Sequence, residues 1–389
     1  MRLALIAAAV LFGGETLAQT PRAVPVEGQP WAGRLAAADA KWNLTFQTDG
    51  PSQRLAAANL VCWGSPAEIL RGPILVLADG GLMAADVLGA DKEHLTADST
   101  ALGAVKLPLE LLAGIALHST GGRHERDLLL DRIATPGGDT DRLVLDNGDE
   151  LTGQIEKIGE EAVKLQAAVG PLEVKIERIA AVIFNPALRS AARNGGLRAW
   201  VGLADGSRLL AAQLLVDGET LQLTTADKQT WKAASKDLVF LQPLGGRATY
   251  LSDLKPDGYR HLPFLDLAWP YRADRNVTGG QLRAGGRLYL KGLGLHSAAR
   301  LTYKLDGSFK WFQAAMAIDD SAGGRGSVGF RVLVDGKPKF VSPTVRGGSA
   351  PTPVSVEVSG ARQLDLLVDY ADRADEMDHA DWLDAWLVK

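Results

Sequence analysis

The chain has 389 residues, 46% of them hydrophobic, and a formal net charge of −4 at pH 7. This length is sufficient for two or three domains that each have a hydrophobic core. The nearly balanced charge argues against a nucleic-acid-binding protein, because phosphate recognition usually requires an excess of Lys and Arg on one face.

The first residues have the layout of a secretory signal peptide. Met1 and Arg2 precede an uncharged apolar run at 3–12, and Thr16 and Ala18 supply small residues at the −3 and −1 positions of a cleavage site. The run is shorter than the roughly 20 residues that a membrane-spanning helix needs, and no later segment is long and apolar enough. We therefore expect residues 1–18 to be removed from an exported protein, periplasmic or extracellular, that has no transmembrane segment. A buried N-terminal helix is the alternative.

The chain contains one cysteine, Cys62. An exported protein with a lone cysteine has no internal disulfide, so its stability must come from hydrophobic cores. Cys62 lies in the apolar run 60–63, and this setting is more typical of a buried thiol than of a nucleophile.

Residues 41–245 are β-rich and repetitive, after a predicted extended linker at 19–40 that contains Pro21, Pro25 and Pro30. Dipeptides typical of tight hairpin turns follow three strand-like runs: Asp79-Gly80, Asn147-Gly148 and Asp205-Gly206. A new alternating strand begins fifteen residues after each glycine, and each unit closes on an apolar stretch. This period predicts small, barrel-like all-β units at about 65–120, 140–186 and 197–243, with a partial unit at 42–64.

Three segments depart from the strand pattern. Residues 186–196 are expected to form a short helix and loop between the second and third units, and residues 107–112 have some helical character. Residues 242–265, which include Pro243 and Gly245, predict a partly ordered connector to the last third of the chain.

The composition changes after this connector to short strands that contain Gly and Trp. Residues 354–358 alternate apolar and polar side chains, and residues 328–334 run directly into the turn dipeptide Asp335-Gly336. Short strands separated by turn residues are typical of a β-sandwich, in which the loops at one end carry binding.

Four stretches of residues 248–389 carry a family pattern: 291–305, 312–320, 326–336 and 378–385. In order and spacing they resemble the NPCBM family of carbohydrate-binding modules. The resemblance implies a galactose-binding-like fold for residues 248–389, with a glycan or polysaccharide as the ligand. The predicted fold class is therefore all-β, with a C-terminal galactose-binding-like jelly-roll β-sandwich preceded by tandem small β-barrel-like repeats.

Several residues of this region are candidates for contact with carbohydrate: Trp269, His296, Asp320, Arg325, Asp378, His379 and Trp382. The imidazole of His296 either hydrogen-bonds a sugar hydroxyl or fixes its own loop. The ring of Trp269 either stacks on the apolar face of a pyranose or packs at the sandwich edge. Trp382 fits a core position better than a sugar platform, although its neighbour Trp386 competes for that core position.

The charged candidates also have two interpretations each. Asp319 and Asp320 end a strand, where adjacent carboxylates bind hydroxyls or a cation, or else cap the turn; we favour the turn for Asp319 and leave Asp320 open. Arg325, in the glycine-rich loop that follows, is either a hydroxyl donor or a solvated side chain. No Ser or Cys in a recognisable nucleophile setting accompanies Asp378 and His379, which argues against catalysis. The family resemblance implies that this cluster chiefly locks the chain end onto the first strands.

The resemblance also implies a metal site. Related galactose-binding-like domains often hold a structural calcium between an early loop and a carboxylate on the last strand. In this chain the matching oxygen ligands are Asp274, Asn276 and Asp384, which suit that ion. No cofactor is otherwise required.

These observations favour an exported, non-enzymatic protein that binds carbohydrate, of galactose type or another glycan, through its C-terminal β-sandwich. The main alternative is a structural scaffold of the cell envelope that binds other envelope proteins and no sugar. A glycoside hydrolase is the third interpretation. It requires two carboxylates roughly 5–10 Å apart across a cleft, and the repeats supply no carboxylate in such a setting.

Overall fold

The computed structural model describes residues 20–118, 121–135, 137–190 and 195–389. The predicted signal peptide at 1–18 lies outside these residues. Within them the chain folds into antiparallel strands, one α-helix, α1 (Arg123–Ala134), and short 3-10 turns. The all-β prediction is therefore confirmed. No helix in the described part of the chain is long and apolar enough to cross a membrane.

The region before residue 245 contains four copies of one small β unit. In each copy, a first strand forms a hairpin with a second, which is usually split by a bend, and a third and fourth strand continue the meander. A 3-10 turn then leads to a last strand that pairs back with the first strand of the same copy.

The first copy comprises β1 (Arg22–Pro25), β2 (Trp31–Ala32), β3 (Arg34–Ala38), β4 (Asn43–Gln47), β5 (Gln53–Ala56) and β6 (Leu60–Gly64). The second comprises β7 (Ile74–Leu77), β8 (Leu82–Ala84), β9 (Asp86–Ala90), β10 (His94–Ser99), β11 (Gly103–Pro108) and β12 (Leu112–Ala116). The third comprises β13 (Asp141–Leu145), β14 (Glu150–Ile158), β15 (Ala162–Ala167), β16 (Gly170–Lys175) and β17 (Ile179–Ile183). The fourth comprises β18 (Arg198–Leu203), β19 (Arg208–Ala211), β20 (Gln213–Asp217), β21 (Thr220–Thr224), β22 (Thr230–Ala234) and β23 (Leu238–Leu244).

The linker predicted at residues 19–40 was wrong, because β1, β2 and β3 of the first copy lie there. The unit predicted as partial is complete. Its first hairpin turns at Glu27-Gly28, where Gly28 has φ +98°, similar to the +90° of Gly80 in the second copy. Glu-Gly is not one of the dipeptides that mark tight turns, and the prolines around it are more common in linkers than in strands.

The copies associate in pairs through their last strands. β12 pairs antiparallel with β17, and β6 pairs antiparallel with β23, so that two central β ribbons form. Every residue of β12 and β17 is buried. A strand that is covered on both faces needs a continuous apolar run, which is why each unit closes on one in the sequence.

Helix α1 was not expected, and the helix expected at 186–196 is reduced to one 3-10 turn, Pro186–Leu188. Residues 191–194 of that segment lie outside the described residues. Helix α1 follows the second copy and buries Leu130 and Ile133 against the β12 and β17 ribbon. The helical character expected at 107–112 corresponds to the 3-10 turn Leu109–Leu111.

Residues from 248 onward form a sandwich of two antiparallel sheets. The first sheet contains β24 (Ala248–Tyr250), β26 (Arg272–Ala273), β29 (Gly292–His296), β31 (Trp311–Ile318), β35 (Thr352–Glu357) and β37 (His379–Val388). The second contains β25 (Gly258–His261), β30 (Ala299–Lys304), β32 (Ser327–Val334), β33 (Lys337–Val341), β34 (Val345–Arg346) and β36 (Gln363–Tyr370). A separate hairpin is formed by β27 (Leu282–Ala284) and β28 (Arg287–Tyr289).

The partly ordered connector predicted at 242–265 is replaced by a packed junction between the repeats and the sandwich. β23 extends to Leu244, and β24 then joins β37 of the sandwich. The buried Gln242 side chain donates hydrogen bonds to the Tyr250 hydroxyl and to Asp384 Oδ1, both at 3.1 Å. The Tyr250 hydroxyl in turn donates to the carbonyl of Val61 at 2.9 Å. The two regions thus share a hydrogen-bonded and apolar interface.

Candidate functional site

A cleft of about 460 Å³ opens at one end of the sandwich. Its walls come from the loop after β25, the loop before β27, the end of β29 and the segment that leads into β37. The residues that line it are Leu265, Leu267, Trp269, Thr278, His296, Asp375, Met377 and His379. Clefts of this size that combine apolar walls with a few polar groups are typical of small-ligand sites.

The centre of the cleft is a cluster of aromatic rings fixed by strand pairing. His296 ends β29 and lies directly opposite His379, which begins β37. The Trp269 ring stacks on the His296 ring, with centroids 4.8 Å apart and planes 5° apart, and the His379 ring centroid lies 6.2 Å from that of Trp269. The register of two strands thus brings together side chains that are far apart in the sequence.

The hydrogen bonds around Trp269 fix its backbone on both sides. Its N–H donates to His261 Nδ1 at 3.2 Å, and its carbonyl accepts from the Tyr259 hydroxyl at 2.6 Å. Because His261 Nδ1 accepts, the proton of that imidazole is on Nε2, which donates to the carbonyl of Ser297 at 3.1 Å. The tryptophan is therefore held by β25 in a defined position at the cleft.

Both cleft histidines are neutral at pH 7. Burial, together with smaller effects of the neighbouring His296 and His124 imidazoles, lowers the pKa of His379 to about 4. Burial also lowers the pKa of His296. His296 Nδ1 donates to the Ser297 carbonyl at 3.1 Å, so its Nε2 carries a lone pair that can accept a hydrogen bond from a ligand hydroxyl. For His296, structural and binding roles are therefore compatible.

Asp378 does not reach the cleft. Its carboxylate is fully buried, where it accepts from the Ser297 hydroxyl at 2.5 Å and from the backbone N–H of Ser327 at 2.8 Å. Burial raises its pKa to about 6. The prediction that Asp378 contacts carbohydrate is corrected: it joins three segments beneath the cleft, because its acceptors satisfy donors that would otherwise be buried without partners.

Asp320 and Arg325 have protein partners outside the cleft. The carboxylate of Asp320 accepts from the backbone N–H groups of Gly285 and Gly286, at 3.0 and 2.9 Å, and so holds the β27–β28 turn. Arg325 is exposed and lies 3.7 Å from Glu376 in an ion pair. Neither residue lines the cleft, and neither prediction of sugar contact is supported by the geometry.

Trp382 is a core residue. Its side chain is fully buried and packs edge-on against Phe312 and Phe330, with ring centroids 6.0 and 4.9 Å away. The pairing of β37 with β31 shifts register at a bulge between Leu383 and Trp386, so Trp386 faces the junction with the repeats and not the sandwich core. The prediction of a sugar-stacking Trp382 is corrected, and the core interpretation holds.

The three predicted calcium ligands do not fit that ion. Lys291 Nζ lies 2.6 Å from Asp274 Oδ2 and 2.6 Å from Asp253 Oδ1, so this oxygen of Asp274 already has a cationic partner. Asn276 Oδ1 accepts from the Thr278 hydroxyl at 2.8 Å and from a backbone N–H, which uses both of its lone pairs. Asp384 accepts from Gln242 in the junction. Each oxygen group thus has its own protein partners, and the function proposed below does not involve a metal.

Six cleft residues or supports were missed from the sequence: His261, Leu265, Leu267, Thr278, Asp375 and Met377. Leu265 is the last residue of the predicted connector and Leu267 lies just beyond it, although the run of apolar residues before Trp269 was a usable signal. Asp375 and Met377 precede the predicted cluster at 378–382 by only a few positions. Their position at the cleft depends on a loop conformation that local sequence does not specify.

The C-terminal region matches a known family. Residues 247–388 match the model described as the NPCBM/NEW2 domain, and this part of the chain is therefore an NPCBM/NEW2 domain. The match covers the sandwich and leaves the four repeats outside.

Two curated relatives match part of the chain. The chain is 36% identical over 120 residues to the alpha-1,3-galactosidase B of Akkermansia muciniphila. The matched segment makes up 30% of this chain and 15% of that protein. It is 35% identical over 107 residues to a Renibacterium salmoninarum protein named "Putative endo-alpha-N-acetylgalactosaminidase". That matched segment makes up 28% of this chain and 7% of the relative. The chain thus spans a small part of the length of both relatives.

Among solved structures, similarity is found to the CBM51 module from Clostridium perfringens GH95 in complex with methyl-galactose. The sequence identity is 24% and the TM-score 0.33, over 36% of this chain and 99% of that one. A structure of CBM51-2 with GlcNAc and INT domains from Clostridium perfringens ZmpB gives 26% identity and a TM-score of 0.34, over 46% of this chain and 38% of that one.

Proposed function

We propose that this protein binds carbohydrate non-covalently in the cleft of its NPCBM/NEW2 domain and that it acts as an exported binding protein rather than as an enzyme. The observation that carries the proposal is the flat surface of Trp269 beside two neutral imidazoles, His296 and His379, in an open cleft with apolar walls. A sugar of galactose type, or another glycan, is the proposed ligand.

This combination suits the surface of a pyranose ring. One face of the ring presents C–H groups that pack on aromatic and aliphatic carbon, whereas its edge presents hydroxyls that donate and accept hydrogen bonds. His296 Nε2 accepts from one hydroxyl and His379 offers a second polar contact. A few hydrogen bonds and one ring contact correspond to weak binding of a single sugar, with a Kd in roughly the millimolar to micromolar range.

Binding without hydrolysis is supported by the acidic groups at the cleft. Of the residues that line it, one, Asp375, carries a carboxylate, whereas glycoside hydrolysis generally uses two that flank the bond. The two curated relatives are named as glycosidases, but this chain matches only 15% or less of their length. Export is proposed from the signal-peptide layout of residues 1–18.

A glycan array tests the proposal. The full chain is screened together with Leu267→Arg, which places a long charged side chain in the cleft, and with Val341→Arg, an equally exposed position on β33. Leu267 is 64% exposed and Val341 61%, so neither substitution disturbs the core. We expect specific glycans to bind the wild type and Val341→Arg but not Leu267→Arg. Absence of binding by the folded wild type would favour a protein-binding scaffold of the envelope.

A further inference from the structure

We propose that helix α1, which comes from the repeat region, forms an additional subsite of the glycan cleft, where a second sugar of an oligosaccharide contacts His124. This inference rests on the proposed carbohydrate binding and extends it, because it assigns part of the recognition to a segment outside the NPCBM/NEW2 domain. The ligand class is then an oligosaccharide of at least two units rather than a single terminal sugar.

Helix α1 is fixed to the cleft wall by a buried ion pair. Asp127 of the helix is 2% exposed, and its carboxylate binds the Arg283 guanidinium through both oxygens. The same carboxylate accepts from the backbone N–H of Gln281 at 3.0 Å. A second pair joins Asp131 of the helix to Arg275 at 3.3 Å. The loop at 276–281, which carries the cleft residue Thr278, is therefore held directly by the helix.

Two glycines permit this close approach. A Cβ atom at Gly280 would lie 3.3 Å from His124 Nδ1 and 3.3 Å from a carboxylate oxygen of Asp127, and one at Gly279 would lie 3.2 Å from Leu128 Cδ2. Such contacts would require the side chains of the helix to shift by a few tenths of an ångström. Gly279 also has φ +94°, a backbone conformation that residues other than glycine rarely adopt. The first turns of α1 are thus adjacent to the loop that forms this cleft wall.

The exposed groups of α1 at this position have the chemistry of a sugar subsite. His124 is exposed, and its imidazole has no hydrogen-bond partner within the described residues. It lies close enough to the cleft residue His379 to interact with it electrostatically. Leu128, one helical turn further, is 40% exposed and adds apolar surface next to that imidazole. A free donor and acceptor beside an aliphatic side chain matches the mixed surface of a pyranose.

The position of the helix in the fold supports a specific role. Helix α1 connects the second and third copies. In the described residues, the connections between the first and second copies and between the third and fourth copies contain no α-helix; residues 191–194 of the latter connection are outside the described residues. The β unit therefore does not require it. The insertion occurs at the copy boundary that faces the sandwich cleft.

The test compares monosaccharides with disaccharides on the full chain. Galactose and N-acetylglucosamine serve as single sugars, and α-1,3-galactobiose and N,N′-diacetylchitobiose as the matching disaccharides, measured by isothermal titration. Wild type, His124→Ala and His94→Ala are compared; His94 is on β10 of the second copy, next to Glu93. We expect His124→Ala to weaken the disaccharide about three- to tenfold, the value of one hydrogen bond, and to leave the monosaccharide unchanged. His94→Ala should alter neither.

A second readout follows the imidazole itself. The chain has six histidines, so the ring signal of His124 can be assigned in proton NMR by its loss in His124→Ala. The signal should shift with the disaccharide and not with the monosaccharide. An unshifted signal together with an unchanged disaccharide affinity would overturn the subsite while leaving sugar binding intact. Failure of the wild type to bind any of the four sugars, with no binding on the array, would remove both proposals.

Discussion

The substitution Asp378→Ala separates a supporting role of this residue from a role in sugar contact. In the wild type its carboxylate accepts from the Ser297 hydroxyl and the Ser327 N–H, and all three groups are buried. Alanine leaves both donors without partners. A buried donor that loses its acceptor costs about 1–3 kcal/mol, so we expect the free energy of unfolding to fall by about 2–6 kcal/mol.

Asp378→Asn is the matched control. The asparagine Oδ1 can still accept from the Ser327 N–H, and the Ser297 hydroxyl can rotate to accept from the new amide. We therefore expect Asp378→Asn to be much closer to the wild type in stability than Asp378→Ala is.

The assay is urea denaturation at pH 7 followed by Trp fluorescence, with glycan affinity measured at low urea concentrations where each variant is folded. We expect stability to fall and the affinity of the folded protein for its glycan to change little. An Asp378→Ala variant with wild-type stability and no glycan binding would show instead that the carboxylate contacts the sugar directly.

Three further predictions follow from the same geometry. Burial lowers the pKa of both cleft histidines, that of His379 to about 4, so glycan binding should persist below the ordinary histidine pKa of about 6.5 and be lost by about pH 4 as the imidazoles become charged. A midpoint at about 6.5, read by titration calorimetry, would contradict this. Calcium chloride should leave the Tm unchanged, since the Lys291 ammonium already occupies the cation position beside Asp274. A calcium-dependent rise of the Tm that is absent in Asp274→Ala would restore the metal site. Arg283→Ala should lower the free energy of unfolding by about 3–5 kcal/mol, because it leaves the buried Asp127 carboxylate without its ion-pair partner. Arg247→Ala removes an exposed ion pair with Glu27 and should cost about 1 kcal/mol or less. Equal losses in urea denaturation would contradict a stabilising role of the buried pair.

The β class of the fold and the nature of the C-terminal domain could be predicted from sequence. Alternation of apolar and polar residues is a local property, and β10 illustrates it, with Leu95, Ala97 and Ser99 buried and the residues between them more exposed. Turn dipeptides such as Asp79-Gly80 are equally local, since the residue types themselves permit the backbone conformation. The first copy was incompletely recognised because its turn uses Glu27-Gly28, which carries no such signature.

The composition of the site was less predictable, because it depends on contacts between distant segments. His296 and His379 were proposed from sequence, but their direct juxtaposition follows from the pairing of β29 with β37. Asp378 is next to His379 in sequence and points to the opposite side of the strand, into the interior. For Trp382 and Asp320 the residue type allowed both interpretations, and only the surrounding packing and the β27–β28 turn decide between them.

Helix α1 shows a different limit. Its Leu130 and Ile133 are three positions apart, as residues on one helix face are, but a short apolar run between β units is equally consistent with a strand. Nothing in the sequence of the helix indicates that Asp127 pairs with Arg283, which is 156 positions away. The contact requires both regions to be folded against each other.

Isothermal titration of a glycan into Trp269→Ala tests whether this cleft is the carbohydrate site. The matched control is Trp311→Ala, since Trp311 is 42% exposed on β31 and does not line the cleft. We expect Trp269→Ala to lose about tenfold or more in affinity, the effect of one ring contact and the disturbed neighbouring imidazole, while Trp311→Ala binds as the wild type does. Equal affinities of the wild type and a folded Trp269→Ala would contradict the assignment of this cleft as the carbohydrate site.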